Sequence, residues 1–432
     1  MYLCFLCHLC SNDFKFYLCG QIQTSSMVYE SHLLSNGIRL VHKFDSSPVA
    51  YCGLAINTGT RDEADNEQGM AHFIEHMLFK GTKKRKAWHI LNCLENVGGE
   101  LNAYTGKEET FVYAAVLTED FERAMELTAD IVFNATFPKN EIEREVDIIL
   151  DEIQSYKDTP SEQIYDDFEE LVFADSPIGR NILGKAKQLK NYKKADADRF
   201  IKNNYHTDEM VFFSLGNINF KKIMRWAEKY LACYPASLRS SKRVSPSIYI
   251  PQQITNKKDT HQLHLMLGNR AYSLHDENRL GMYMLNNIVG GPGMNSMLNL
   301  TLRERSGLVY SVESSYTAFT DTGIISIYLG SDQKNKDRCL RLVNKELKKL
   351  REEKISAVSF ARYKKQLIGQ VTIASQNKES LALSIGKSFM HFNRIESIEE
   401  TKKKLDELTP EKLMNIANEV FDEKSLSSLT YL

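Results

Sequence analysis

Hydrophobic and polar positions repeat along the chain with two different periods. Short segments that alternate or run continuously apolar predict strands. The predicted strands span residues 38–41, 49–57, 111–117 and 324–329. Longer segments with apolar residues three and four positions apart predict amphipathic helices. The predicted helices span residues 69–80, 87–97, 120–132, 140–157 and 336–354.

The same order of elements recurs in both halves of the chain. A predicted strand is followed directly by an amphipathic helix before and after residues 234–251, where Pro and Ser concentrate. Such a stretch between periodic segments is typical of a linker. We therefore predict an α+β fold of two duplicated domains, residues 27–233 and 252–432, each an antiparallel or mixed sheet packed with helices.

Length and composition favour a multidomain globular protein. The chain has 432 residues, of which 42% are hydrophobic and 26% are charged. This composition excludes a disordered protein. The formal net charge of -1 offers no basic surplus for binding nucleic acid. Because no run of about 18 apolar residues occurs, we predict no membrane-spanning helix.

Residues 1–26 differ in composition from the rest and contain four cysteines, Cys4, Cys7, Cys10 and Cys19. We interpret this segment as a disordered extension without function. A signal sequence for export, or a metal or iron–sulfur cluster on the first three cysteines, are the alternatives. The other four cysteines are scattered, which favours single thiols in a reducing compartment. Asn36-Gly37 predicts a hairpin turn after this segment.

The predicted helix at residues 69–80 carries the clearest chemical signal. It is apolar nearly all round except for His72, Glu75 and His76, which share an arc of roughly 100°. Two histidines four residues apart present imidazoles to a common point, as zinc ligands do. The alternative is a pair of buried core histidines beside a solvated glutamate. Burying three titratable groups without a cation is costly, so we favour a metal site.

A catalytic zinc ion needs a third protein ligand. In the predicted helix at residues 140–157, Glu145 and Glu152 interrupt the apolar side, whereas Asp151 lies on the opposite, solvated side. Carboxylates on the buried side of a helix need a partner, and a metal ion would serve. A buried salt bridge is the alternative.

These motifs resemble the pitrilysin-like zinc peptidases, which include insulin-degrading enzyme and the mitochondrial processing peptidase. The resemblance extends from Met27 to Leu432. HFIEHMLFKGT is similar to the inverted zinc motif of that family. Glu152, which lies 76 residues beyond His76, matches the third ligand. Glu145 matches a second carboxylate that supports the site.

The resemblance implies roles for further residues. Asn102 and Ala103, in the segment LNAYT, match a strand edge that binds the substrate backbone. Arg303 and Tyr310 match an Arg and a Tyr that reach the scissile bond, where they would stabilise the oxyanion. Glu75 would act as general base.

The resemblance thus implies a zinc endopeptidase with one Zn²⁺ per chain, which hydrolyses peptides or unfolded polypeptides in an enclosed chamber. A two-domain chain would need a second chain to close that chamber, so we predict a homodimer in the bacterial cytoplasm. The alternative is a non-catalytic subunit, or one half of a heterodimer of the processing-peptidase type. The physiological substrate is left open.

Overall fold

The computed structural model describes residues 29–174, 176–258 and 260–432 of the chain. Residues 1–26, including the cysteine cluster, therefore lie outside the described residues. Two β-sheets packed with helices form the molecule, one in each half. The predicted α+β fold, with one antiparallel or mixed sheet packed with helices in each half, is confirmed.

The first sheet has six strands in the order β1-β2-β6-β3-β5-β4. The strands are β1 (Tyr29–Leu33), β2 (Arg39–Phe44), β3 (Val49–Ile56), β4 (Glu100–Thr105), β5 (Thr110–Leu117) and β6 (Met210–Gly216). All neighbours pair antiparallel except β2 and β6, which run parallel. The turn between β1 and β2 forms at the predicted Asn36-Gly37, where Gly37 has a left-handed φ of 96°.

The second sheet has five strands in the order β7-β11-β8-β10-β9. The strands are β7 (Gln253–Asn256), β8 (Leu263–Ala271), β9 (Val309–Ala318), β10 (Gly323–Ser331) and β11 (Ser427–Tyr431). Each half thus has its own mixed sheet with one parallel pair of strands. In the second sheet this pair is β7 with β11.

Eight helices occur in the first half of the described chain and six in the second. The first eight are α1 (Met70–Leu78), α2 (Ala87–Glu95), α3 (Phe121–Asn134), α4 (Lys139–Lys157), α5 (Pro160–Val172), α6 (Ala186–Leu189), α7 (Lys194–Asn204) and α8 (Phe220–Tyr230). The others are α9 (Arg279–Gly290), α10 (Lys336–Glu352), α11 (Ala357–Ala374), α12 (Lys378–Phe392), α13 (Ile398–Glu407) and α14 (Pro410–Val420). Each helix is too short or too polar to cross a lipid bilayer, as far as the described residues extend.

Each half covers one sheet face of the other half. Helix α5 packs its buried Ile164, Phe168 and Val172 against the second sheet, and Arg270 of β8 donates to its carbonyl at Val172 at 3.2 Å. Helix α12 packs in return against β3 and β6 of the first sheet. The domain boundaries at residues 233 and 252 stay a prediction, because each half contains a helix that packs on the sheet of the other half.

Candidate metal centre

Helix α1 begins at a glycine that no other residue could replace easily. Gly69 has a φ of 92°, and a Cβ atom there would lie 2.7 Å from the carbonyl oxygen of Leu183. The helix then buries its apolar residues completely, from Met70 to Leu78. This packing fixes the rotation of the helix and therefore the direction in which its three polar side chains point.

Glu63 satisfies the first amides of α1 from outside the helix. Its two carboxylate oxygens accept hydrogen bonds from the backbone amides of Gly69 at 3.0 Å and Ala71 at 2.9 Å. A glycine N-cap has no side chain to do this, so the carboxylate replaces the missing cap. Burial raises the pKa of Glu63, while the hydrogen bonds from the two amides and the charges of Arg180 and Lys107 lower it.

The two histidines of α1 point their Nε2 atoms at one carboxylate oxygen of α4. Oε2 of Glu152 lies 3.9 Å from Nε2 of His72 and 3.8 Å from Nε2 of His76. Both distances are too long for a hydrogen bond. They are close to the roughly 3.4 Å that separates two ligand atoms in a tetrahedral zinc site.

The position of Glu152 differs from the prediction in one respect. We predicted that it lies on the buried side of α4 together with Glu145, but its side chain is 44% exposed. Ile148 of the same helix is 50% exposed as well. The buried residues Ile142, Glu145, Ile149 and Ile153 form a stripe along nearly the whole helix, and Glu152 lies just outside this narrow stripe.

Glu145 orients one of the histidines. It is buried, and its Oε2 lies 3.1 Å from Nδ1 of His76 while its Oε1 pairs with Nζ of Lys80 at 2.6 Å. A carboxylate that accepts the Nδ1 proton leaves the Nε2 lone pair free for a metal ion. Lys80 balances the charge of this buried carboxylate.

Burial keeps His72 in the form that can bind a metal ion. Burial, and to a smaller extent the charge of His76, lowers the pKa of His72 to about 4. The imidazole is therefore neutral at neutral pH, which is the form that binds metals. Its Nδ1 atom is buried and has no hydrogen-bond partner among the described residues.

The donor set fits zinc. The ligand atoms of His72, His76 and Glu152 all lie within 4.8 Å of one another, and within the described ranges this is the one such group of three. Two imidazole nitrogens and a carboxylate oxygen, with a fourth position open, are the ligands of a catalytic zinc site.

Glu75 lies on the same helix and is half-buried beside strand β4. Burial raises the pKa of its carboxyl, while Thr105 of β4 and the charge of His76 lower it. A carboxyl with a raised pKa can accept a proton and return it during a reaction. Its neighbour β4, which carries Asn102 and Ala103, is the outermost strand of the first sheet and pairs with β5 alone.

Comparison with known proteins identifies the family. Residues 39–186 match the family model described as insulinase, peptidase family M16, and residues 191–367 match the peptidase M16 inactive domain. An uncharacterized zinc protease of Rickettsia felis is 32% identical over 397 residues, which cover 92% of this chain and 96% of that protein. The chain belongs to the M16 peptidase family.

Further M16 relatives agree with this assignment. An uncharacterized zinc protease of Bacillus subtilis is 29% identical over 391 residues, which cover 90% of this chain and 94% of that protein. The crystal structure of a protease from Helicobacter pylori superimposes with a TM-score of 0.85 at 19% identity, covering 94% of this chain and all of that one. A peptidase M16 inactive domain from Pseudomonas fluorescens gives a TM-score of 0.86 at 19% identity, with 93% and 98% coverage. The resemblance to pitrilysin-like peptidases is thereby confirmed, and the two structures support the fold.

Arg303 and Tyr310 lie in the part of this M16 chain that matches the inactive domain. Arg303 is on a π-helical turn, Asn299–Glu304, and Tyr310 is 58% exposed on the outermost strand β9. The Tyr310 hydroxyl donates to Asp332 at 2.8 Å. Among the described residues, no hydrogen bond, ion pair or ring contact joins either side chain to the zinc ligands or to Glu75. Their role in catalysis therefore stays a prediction.

Sequence reasoning missed Glu63, Lys80 and Thr105, which contact the M16 site or its helix. Glu63 lies in a loop without periodicity, and nothing in a single sequence connects it with the amides of Gly69 and Ala71. Lys80 could have been suspected, since it follows His76 by only four residues and lies just after the end of α1.

Proposed function

We propose that the chain is a zinc-dependent endopeptidase. One observation carries this proposal: Glu152, His72 and His76 converge on one point, and Glu75 stands on the same helix without sharing in that convergence. Three ligands and a separate carboxylate are the set that peptide hydrolysis at zinc requires. The names of the M16 relatives support the same activity.

Each residue then has a distinct chemical task. When bound, zinc supplies a Lewis acid that polarises the scissile carbonyl and makes water more acidic. Glu75 accepts a proton from the attacking water and transfers it to the leaving amine. Glu145 keeps the proton of His76 on Nδ1, so that Nε2 remains a ligand.

The proposed substrates are peptides and unfolded polypeptides. The unpaired side of β4 can take an extended peptide as an additional strand, through main-chain hydrogen bonds at Asn102 and Ala103. Such binding depends little on side chains, which favours loose sequence preferences.

The proposed enzyme is a homodimer of the bacterial cytoplasm with one zinc ion per chain. Arg303 and Tyr310 of one chain would complete the site of the other and stabilise the oxyanion. Two chains would enclose the chamber in which cleavage occurs. The relatives compared above come from bacteria.

Two measurements on the purified protein test the proposal. Elemental analysis should find one zinc ion per chain, also after removal of residues 1–26. A peptide library should be cleaved, as read by mass spectrometry, and a chelator should stop the cleavage. Zinc without cleavage would favour a non-catalytic or heterodimeric subunit, and a protein without zinc would contradict the proposal.

A further inference from the structure

Three consecutive residues, Arg61, Asp62 and Glu63, together bind three parts of the molecule, and Arg61 contacts both the second half and the connecting segment, at the carbonyl of Val244 at 2.9 Å. They belong to one 3₁₀ turn, Thr60–Asp62, and to the residue directly after it. At three residues per turn, successive side chains point about 120° apart. We call these three residues the 61–63 turn.

Arg61 connects the turn to the second half of the chain. Its guanidinium forms two hydrogen bonds of 2.7 Å each with the carboxylate of Asp321, in the loop between β9 and β10. The same group donates to Glu108 at 2.6 Å, and Glu108 in turn accepts from the backbone amide of Thr320 at 2.8 Å. Arg61 is only 4% exposed. A buried, two-pronged pair of this kind fixes orientation as well as distance.

Asp62 connects the turn to the segment between the two halves. Arg243 donates to its carboxylate twice, at 2.9 and 2.7 Å, and Arg239 donates to it as well. These arginines lie within residues 234–251, which contain neither helix nor strand. The carboxylate of Asp62 therefore holds a segment that has no regular structure of its own.

Glu63 connects the turn to the zinc helix, through the amides of Gly69 and Ala71 described above. Ala71 directly precedes His72, so a displacement of Glu63 acts on the first turn of the helix that carries both histidines. Since the three side chains extend from one short, hydrogen-bonded turn, none of them can move far without the others.

We propose that the 61–63 turn sets the position of the zinc helix according to how the second half and the connecting segment are seated. Arg61, Asp62 and Glu63 are then positioning residues for the proposed zinc chemistry, on which this inference rests. Asp321, which contacts neither zinc ligand nor Glu75, influences metal binding through the turn. The affinity of the site for zinc is consequently highest when the second half is packed against the first.

The test compares two variants that each remove one ion pair between the halves. Asp321→Asn breaks the pair with Arg61. Asp45→Asn breaks the pair between Asp45, directly after β2, and Lys378 of α12, which does not involve the turn. The side chains of Asp321 and Asp45 are comparably shielded, at 25% and 16% exposure. Zinc affinity is measured by competition with a chelator, and stability by urea unfolding.

We expect Asp321→Asn to weaken zinc binding by roughly three- to thirtyfold. It should also accelerate hydrogen exchange at the amides of Gly69 and Ala71. Asp45→Asn should leave both properties unchanged. Glu63→Gln should weaken zinc binding too, because its NH₂ group would face a backbone amide, and the double variant with Asp321→Asn should lose less than the product of the two single effects.

Several outcomes would overturn the inference. These are equal zinc affinity of Asp321→Asn and the wild type, equal losses in Asp321→Asn and Asp45→Asn, or multiplicative effects in the double variant. If Asp321→Asn does not fold, Arg61→Lys keeps the charge and removes the two-pronged contact, and an unchanged affinity there would also refute the proposal. A wild-type protein that binds no zinc would instead contradict the proposed function, while the exchange of the two amides still reports on the turn.

Discussion

Nδ1 of His76 and Oε2 of Glu145 lie 3.1 Å apart, although 69 residues separate them in the sequence. The contact joins the helix that carries the histidines to the helix that carries Glu152. It also determines which nitrogen of His76 holds the proton, because the carboxylate accepts from Nδ1 only. One hydrogen bond thus fixes both the tautomer of a ligand and the relative position of two ligand-bearing helices.

Glu152→Gln should weaken zinc binding more than any other substitution on α4. An amide oxygen is a poorer zinc ligand than a carboxylate, so the variant loses a charged ligand atom. Glu145→Gln should cost less, about 10- to 100-fold in affinity or activity, since it removes a partner of a ligand. Zinc competition assays on the two variants measure both effects.

Asp151→Asn is the matched control for these two variants. Asp151 is exposed on the opposite side of the same helix. Its substitution should leave zinc affinity unchanged. If Asp151→Asn and Glu152→Gln weaken binding equally, the convergence of Glu152 with the histidines has no role in binding.

Glu75→Gln should retain zinc and lose peptide cleavage by about 100-fold or more, because it removes the proton acceptor and leaves the ligands intact. Elemental analysis and a peptide cleavage assay on the same preparation give the two numbers. Loss of zinc from this variant would mean that Glu75 is a ligand or a structural residue, and its catalytic role would have to be abandoned.

Mixed dimers test whether Arg303 and Tyr310 act on the partner chain. A Glu75→Gln homodimer should be inactive, and a Tyr310→Phe homodimer should be weakened. In a heterodimer of the two variants, one site carries both lesions and the other carries neither. Heterodimers purified through two different tags should therefore recover about half of the wild-type activity at saturating peptide.

The same experiment has a clear negative outcome. If Arg303 and Tyr310 serve the zinc site of their own chain, every site in the heterodimer carries one lesion. No activity would then be recovered, and the shared site would be refuted without any consequence for the zinc ligands.

His42 should make the protein sensitive to mild acid. It is 1% exposed on β2, its Nδ1 lies 2.9 Å from the Ser214 hydroxyl, and burial lowers its pKa to about 4. The unfolded chain takes up a proton near pH 6.5 and the folded chain only near pH 4, so stability is lost as pH falls between these values. For His42 alone the loss from pH 7 to pH 5 is about 2 kcal/mol.

Urea unfolding of His42→Gln at both pH values measures this contribution. The difference in unfolding free energy between pH 7 and pH 5 should be smaller in the variant than in the wild type. His32→Gln, which replaces a histidine whose side chain is 41% exposed on the neighbouring strand, is the control and should behave like the wild type. The same pH dependence in both variants would contradict the assignment to His42.

The zinc site could be predicted largely from the sequence because its residues follow a helical period. His72, Glu75 and His76 lie on one short helix, and their spacing alone places them on one side of it. Glu145 is buried on α4 as the helical wheel indicated. Glu152 is exposed because the buried stripe of α4, which runs from Ile142 to Ile153, is narrower than the side of the helix that the wheel assigned to the core.

The long-range contacts could not be predicted in this way. Arg61 and Asp321 are separated by 260 residues, and neither lies in a periodic segment. The amphipathic pattern of α5 and α12 shows that each has an apolar side, but it contains no information on which sheet that side covers. Such contacts depend on the path of the whole chain.

Helices α5 and α12 each cover the sheet of the other half, and this arrangement also determines the order in which the protein can fold. One face of the first sheet presents Val41, Phe111 and Phe213, and helix α12 at residues 378–392 covers it. During synthesis this face stays uncovered until residues 378–392 have left the ribosome. The amino-terminal half contains every proposed zinc ligand and still leaves an apolar sheet face open to water, so the nascent chain is exposed to aggregation at this face until α12 emerges.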